Sequence, residues 1–337
     1  MTMRKWTLFL SVYVCLCLLS ACGGAAGPVP RTEDPASGGE LSDVQAAPEA
    51  PPSLAEDEEP TILRCRVVDG AETGELLLAE LDEGLYGGAG VYRLNLESGG
   101  PNAAVMYDGV PAGTARPAAV PVYLDGEAAE AADLEDGMTV EISFNGAVAE
   151  TFPAQLGEVY QIAGFSIGTE ENPGGTCYDL CGLYLQVLDD LWQKDPGLNE
   201  NISLAGLDLS TAPGGLTDSE KAAVAWRFGE MHGVEVVTGT FEELKEQGYF
   251  TATAISTPAP EEGEDYSHLW YQWEDGCLFS ITPNEDHTEE MYSLPTLFFN
   301  AEKWRSSLGA YGFYDCSAGW PMMGTWSGYQ IGGEMIS

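Results

Sequence analysis

The stretch from Asp136 to Gly146 reads Asp-Gly-Met-Thr-Val-Glu-Ile-Ser-Phe-Asn-Gly, a strict apolar–polar alternation closed at both ends by a glycine turn. Met138, Val140, Ile142 and Phe144 fall on one face and Thr139, Glu141 and Ser143 on the other, because successive side chains of an extended chain point to opposite sides. Comparable runs occur at Thr61 to Val68, Glu75 to Leu81, Val91 to Leu96, Ala119 to Leu124 and Glu158 to Ile167, separated by Asp69-Gly70, Asp82-Glu83-Gly84 and Asp125-Gly126. No helical pattern interrupts them. Short strands at such spacing must close or stack to hide their apolar faces, which predicts a small barrel or sandwich over 61–168.

Downstream of the Asn145-Gly146 turn the chain continues Ala147-Val148-Ala149-Glu150-Thr151-Phe152-Pro153-Ala154-Gln155. A strand, a glycine turn and then Glu-Ser/Thr-aromatic-Pro-Ala-Gln resembles the YobA-like family of small secreted bacterial proteins, over about thirty residues. The resemblance implies an oligonucleotide-binding-like (OB-like) β barrel and carries no activity with it. In physical terms Pro153 fixes the backbone after Phe152, which is expected to plug the barrel mouth, while Gln155 offers hydrogen bonds to free strand ends.

The run Gly168-Thr169-Glu170-Glu171-Asn172-Pro173-Gly174-Gly175 has the composition of an exposed connection, and the pattern changes there. Tyr178 to Gln193 places Leu180, Leu183, Tyr184, Val187, Leu188 and Leu191 on one helical stripe that Asp195-Pro196-Gly197 ends. Thr217 with Glu220, and Thr240 with Glu243, are capping boxes that open two further helices, stopped by Gly233 and Gly248. Strands follow at Tyr249 to Ile255, Leu269 to Trp273, Cys277 to Thr282, Thr296 to Asn300, Gly309 to Cys316 and Thr325 to Ile331. Glu274-Asp275-Gly276 reads as the turn of a hairpin between the second and third of these. The expectation for 169–337 is an α+β domain with its helices packed on an antiparallel sheet, giving an α+β class overall.

At the N-terminus, Arg4 and Lys5 precede the uncharged run Trp6 to Leu19, and small residues follow. A transmembrane helix needs roughly 20 apolar residues, so this segment reads as an export signal over 1–21. Leu19-Ser20-Ala21-Cys22 resembles the bacterial lipobox, which implies cleavage before Cys22 and a diacylglyceryl thioether on its sulfur. Two acyl chains give a firm anchor, since each buried methylene contributes about 0.8 kcal/mol. Residues 22–60 are rich in Pro, Ala, Gly, Ser and acids, with Arg31 the one base and no apolar period. Such an arm stays solvated and has a reach of roughly 35 Å. The expected location is the outer face of the cytoplasmic membrane, with the lipid-anchored chain otherwise in water.

Charge narrows the partners. The full chain carries a net −41, and two of its 13 bases lie in the leader. Nucleic-acid binding requires clustered Lys and Arg, and none are clustered here, so no nucleic-acid partner is expected. Cys15 and Cys17 leave with the leader. Of Cys65, Cys177, Cys181, Cys277 and Cys316, the pair Cys277 and Cys316 could meet across the terminal sheet in an oxidising compartment, while an odd count leaves at least one thiol unpaired and small buried thiols are the alternative. Cys177 and Cys181 have neither thioredoxin nor zinc-knuckle spacing.

His232, His268 and His287 are scattered, so no metal site is expected, and no cofactor motif or serine elbow is present. Asn284-Glu285-Asp286 with Glu289-Glu290 lacks the glycine and closing order of a calcium loop. Tyr266, His268, Trp270 and Trp273 are candidates for a ligand-stacking platform, set against a core role suggested by their strand-like alternation. The functional expectation is a non-enzymatic binding or accessory module at the cell envelope, with a cell-wall or protein partner. A carboxylate-dependent cell-envelope or glycan hydrolase is the alternative, requiring two acids across one cleft. Replacing Cys22 by Ala is expected to release the protein into the medium or leave the precursor uncut, as read by cell fractionation and N-terminal mass spectrometry.

Overall fold

The computed structural model describes residues 59–82, 89–100, 119–172, 179–256, 267–287, 296–319 and 328–337. Asp57–Ser337 is one compact unit. Its first sheet comprises β1 (Thr61–Asp69), β2 (Glu75–Glu80), β3 (Val91–Asn95), β4 (Val122–Leu124), β5 (Glu127–Ala129), β6 (Thr139–Phe144), β7 (Val148–Ala149), β8 (Ala154–Leu156) and β9 (Val159–Phe165). Their spatial order is β5-β4-β9-β6-β1-β2-β3-β8-β7. The alternating face of β6 is buried with Leu63, Cys65 and Val67 of β1 and Leu76 and Leu78 of β2.

This sheet is open, with β5 and β7 as its two ends, so the closed OB-like barrel expected for 61–168 is not formed. Rather than closing, the sheet covers its second face with helices. Val68, Leu77, Ala79 and Val91 on that face belong to the apolar cluster of the rest of the chain. The uninterrupted run Leu76-Leu77-Leu78-Ala79 has this cause, since β2 is buried on both sides. Phe152, expected to plug a barrel mouth, is 58% exposed.

The chain then forms α1 (Leu180–Gln193), β10 (Leu204–Asp208), α2 (Asp218–His232), β11 (Glu235–Thr238), α3 (Phe241–Glu246), β12 (Thr251–Ser256), β13 (Ser267–Gln272), β14 (Gly276–Pro283), β15 (Thr296–Ser306), β16 (Gly309–Gly319) and β17 (Gly333–Ile336). The three expected helices are present, each within two residues of its expected ends, and both capping boxes are made. The sheet, however, is mixed. β10 lies between β11 and β14 and is parallel to both, whereas β14, β15, β16 and β17 are mutually antiparallel in that order. Of the described residues 44% are strand and 19% helical, so the chain is predominantly β, with two large mixed sheets. The α+β arrangement of helices on an antiparallel sheet is therefore incorrect.

Two physical causes account for the difference. β10 and β11 are five and four residues whose burial does not alternate, and they escape a period-two search. The hairpin at Glu274-Asp275-Gly276 is also absent: β13 meets β15 at Gln272 and Ser306, and β14 meets it from Leu278 opposite Trp304. The two strands thus run end to end along one edge of β15, whose other edge is taken by β16. Trp273 causes the break by turning inward onto Gly276, where an added Cβ would lie 2.1 Å from the indole.

Helices α1 and α2 lie between the two sheets and contribute Leu183, Val187, Leu188, Val224 and Phe228 to the common core. Lys303 on β15 is 0% exposed, and its Nζ donates to the carbonyls of Trp192 (3.4 Å), Asp195 (3.2 Å) and Lys194 and to Asn199 Oδ1 (2.6 Å). It therefore caps the C-terminal end of α1, whose last carbonyls have no helical partner. Burial pulls its ammonium down to about 8, and it remains protonated at neutral pH. At the start of α2, Glu220 closes the box on Thr217 N (2.8 Å) and pairs with Arg66 of β1 (3.3 Å). Arg66 also donates to Gly137 O and Thr139 Oγ1, both at 2.9 Å.

Glu220→Ala is expected to lower stability by about 1–3 kcal/mol, since it removes a cap and takes the carboxylate partner from the partly buried Arg66 guanidinium. Glu243→Ala, in the exposed box of α3, should cost under about 1 kcal/mol by the same urea-unfolding measurement. His232, at the end of α2, stacks on Trp192 at 4.1 Å with its Nε2 3.5 Å from Asp189. Burial lowers its pKa from 6.5, with Asp189 opposing. The unfolded chain then binds the extra proton first, so this contribution to stability is complete above the ordinary histidine value and is lost as pH falls below it. Urea midpoints between pH 7 and about 5.5 should fall less steeply in His232→Phe than in the native chain.

Candidate functional site

Strand β10, helix α2 and strand β11 form a parallel βαβ unit. In open sheets of this kind ligands sit beyond the carboxyl ends of the strands, where the connections diverge. Here they do diverge. The segment after β10 leads into α2, which packs on the Ala205, Leu207 and Phe279 face, and the segment after β11 leads into α3, which packs with Leu278 and Trp273 on the other.

Asp208 ends β10 at this divide. Its Oδ1 accepts from Ser210 N (3.0 Å) and Ser210 Oγ (2.6 Å), which fixes the carboxylate. Two cavities, each of about 280 Å³, share it. One lies on the α2 side among Ser210, Lys221 and Thr238, with the Lys221 ammonium held 3.4 Å from Asp218. The second is a groove on the α3 side, floored by Ser280 and Thr282 of β14 and Asn300 and Glu302 of β15, and walled by Phe241 and Trp304.

Local structure sets each of these groups. Tyr314 of β16 donates to Glu302 Oε2 at 3.1 Å, and burial together with the Glu302 carboxylate pushes its phenol up, so the proton stays on oxygen. The ring lies over Gly312, where an added Cβ would approach it to 2.7 Å. Asn300 Oδ1 accepts from Asp315 N at 3.1 Å. Phe241 is the first residue of α3, held there by the Thr240 box, and meets Trp304 edge-on with centroids 5.0 Å apart. The ammonium of Lys245 sits 5.8 Å from the Phe241 centroid and 5.6 Å from that of Tyr271, paired with Glu242. The arrangement offers acceptors on one side and aromatic rings on the other, a combination that recognises a small polar ligand with an apolar stem.

The residues singled out in the sequence are not gathered into one site. Tyr266 lies outside the described residues, and His268 is known through its backbone, paired with Ile255 on β12. Trp270 is exposed, whereas Trp273 is 1% exposed and packs against Tyr249 and Phe250. Trp273 is therefore core, not platform. Cys22 and the leader lie outside the described residues.

Cys277 and Cys316 are both free, and the expected bridge is not made. Cys316 stands opposite Phe299, which stands opposite Pro283, six positions along β14 from Cys277. That is roughly 20 Å at 3.3 Å per residue, where a disulfide tolerates about 7 Å between Cα atoms. Burial pushes both thiols to about 12. Asn284 spends its amide on Asp315 at 2.9 Å, and among the described residues no group of acids, histidines and cysteines is placed to hold a metal.

Sequence reasoning missed Asp208, Glu302 and Tyr314. The signal for Asp208 was the apolar tetrad Leu204 to Leu207 that it ends ahead of the Thr217 box, followed by Glu235-Val236-Val237-Thr238, the spacing of a βαβ unit. Nothing local marks Glu302 or Tyr314, which meet only through the pairing of β15 with β16. No family model, curated protein or solved structure matches the chain.

Proposed function

We propose that the chain is an extracytoplasmic lipoprotein, anchored through Cys22 at the outer face of the cytoplasmic membrane, that acts as a non-enzymatic binding or accessory module. Its ligand seat is the groove between α3 and β14–β16. The observation that carries this reading is the prearranged lining: Asp208 and Glu302 are each fixed by a donor from the protein, and Phe241 and Trp304 are locked edge-on beside them. Such a lining loses little freedom when a solute enters. The acidic arm of residues 22–60 holds the groove clear of anionic headgroups, and the strong net negative charge keeps nucleic acid away.

One observation favours the second reading, a carboxylate-dependent glycan or envelope hydrolase: Asp208 and Glu302 line a single groove. That reading requires saturable turnover that Asp208→Asn and Glu302→Gln each abolish.

Binding in the groove predicts a thermal shift. In a panel of amines, amino acids, sugars and short peptides, at least one solute should raise the melting temperature of the full chain in detergent. A ligand at a hundred times its Kd adds about 2.7 kcal/mol. Thr282→Trp, which fills the groove, should abolish the shift while leaving the unliganded melt near its native value. A panel without effect, or a shift that survives the blocked groove, refutes the assignment.

A further inference from the structure

The groove's own side chains bear negative and neutral groups and no positive one: carboxylates at Asp208 and Glu302, hydroxyls at Ser280 and Thr282, and rings at Phe241 and Trp304. The neighbouring cavity does contain a cation, Lys221, but it is engaged by Asp218. An anion entering the groove would meet two carboxylates on a chain of net −41. A cation is drawn in by the same field.

Resting on the groove as the ligand seat, we propose that it binds a primary ammonium carried on a short aliphatic stem. The ammonium has three donors and no acceptor. The Glu302 and Asp208 carboxylates and the Ser280 and Thr282 hydroxyls supply acceptors for them. Its stem has the Trp304 and Phe241 rings to lie against. The same aromatic cluster already holds an ammonium of the chain itself, where Lys245 lies near the Phe241 and Tyr271 rings with Glu242 as counter-ion. Aromatic faces attract such a charge through their quadrupole. A groove of about 280 Å³ has room for a ligand of this kind.

The test is calorimetric titration of the full chain in detergent, at low ionic strength, with n-butylamine, its neutral isostere n-butanol, and glucose. n-Butylamine should bind with a stoichiometry of one, and n-butanol about tenfold or more weakly, the worth of a charge-assisted hydrogen bond. Glu302→Gln and Asp208→Asn keep the shape and an acceptor oxygen, and each should weaken the amine by about tenfold or more. Urea midpoints confirm that both variants fold.

Amine uptake that does not saturate at one site, or that survives both substitutions, is general condensation of cations on an acidic protein and overturns the proposal. Glucose binding that Thr282→Trp removes, with no amine binding, preserves the groove as a ligand seat and overturns the ammonium assignment. If none of the three probes binds, the ammonium assignment fails, and the seat itself then stands or falls on the thermal-shift panel.

Discussion

Glu220 is where the two halves of the fold are joined. A single carboxylate closes the first turn of α2 and neutralises Arg66 from the first sheet, and it does both from a buried position. A buried ion pair is weak as a source of stability, because desolvation offsets most of the attraction. Its value lies in register: with Arg66 also tied to Gly137 and Thr139, the helix can rotate or slide only by stranding a charge. Helix α2 is thereby fixed against β1, and the end of β10 that leads into it is fixed with it.

The same helices explain why neither sheet closes. α1 and α2 present apolar surface on opposite sides, toward Val68, Leu77 and Val91 in one direction and Ala205, Phe279 and Phe299 in the other. One layer of helix thus serves two sheets, and an edge-free barrel is not required to hide the first sheet's second face. Lys303 acts at the far end of α1 as Glu220 acts at the start of α2, a long side chain from a strand supplying donors that the helix terminus lacks. With both helices pinned, the opposite face of the second sheet carries the short α3 and, beyond it, the polar strip of Ser280, Thr282, Asn300 and Glu302. The groove exists because α3, at six residues, is too short to cover that strip.

The hairpin and the disulfide expected in the second half fail for different reasons. The Cys277–Cys316 bridge fails because β15 lies between β14 and β16 and the two thiols sit far apart along it, whereas the hairpin at Asp275-Gly276 assumed that strands adjacent in sequence are adjacent in the sheet. Trp273 breaks that assumption by entering the core between β13 and β14, so the chain resumes along the same edge of β15 instead of reversing. A tryptophan in an alternating run announces burial or exposure equally well. Only its neighbours, Tyr249, Phe250 and Gly276, decide for burial.

The sequence alone determined the parts governed by nearest neighbours. Alternation and turn spacing placed six strands of the first sheet, the helical stripe placed α1, and the reciprocal hydrogen bonds of Thr217 with Glu220 and Thr240 with Glu243 placed the starts of α2 and α3. These signals are local because a pleat, a helical turn and a cap each involve residues within four positions. Tertiary structure decided the rest: that β10 and β11 are parallel strands, that one helical layer is shared, and that Asp208, Glu302 and Tyr314 line or flank one groove. Asp208 and Glu302 are far apart in the chain and come together only across a sheet. Pairing between distant strands is set by how the whole core packs, and no short window of residues encodes it.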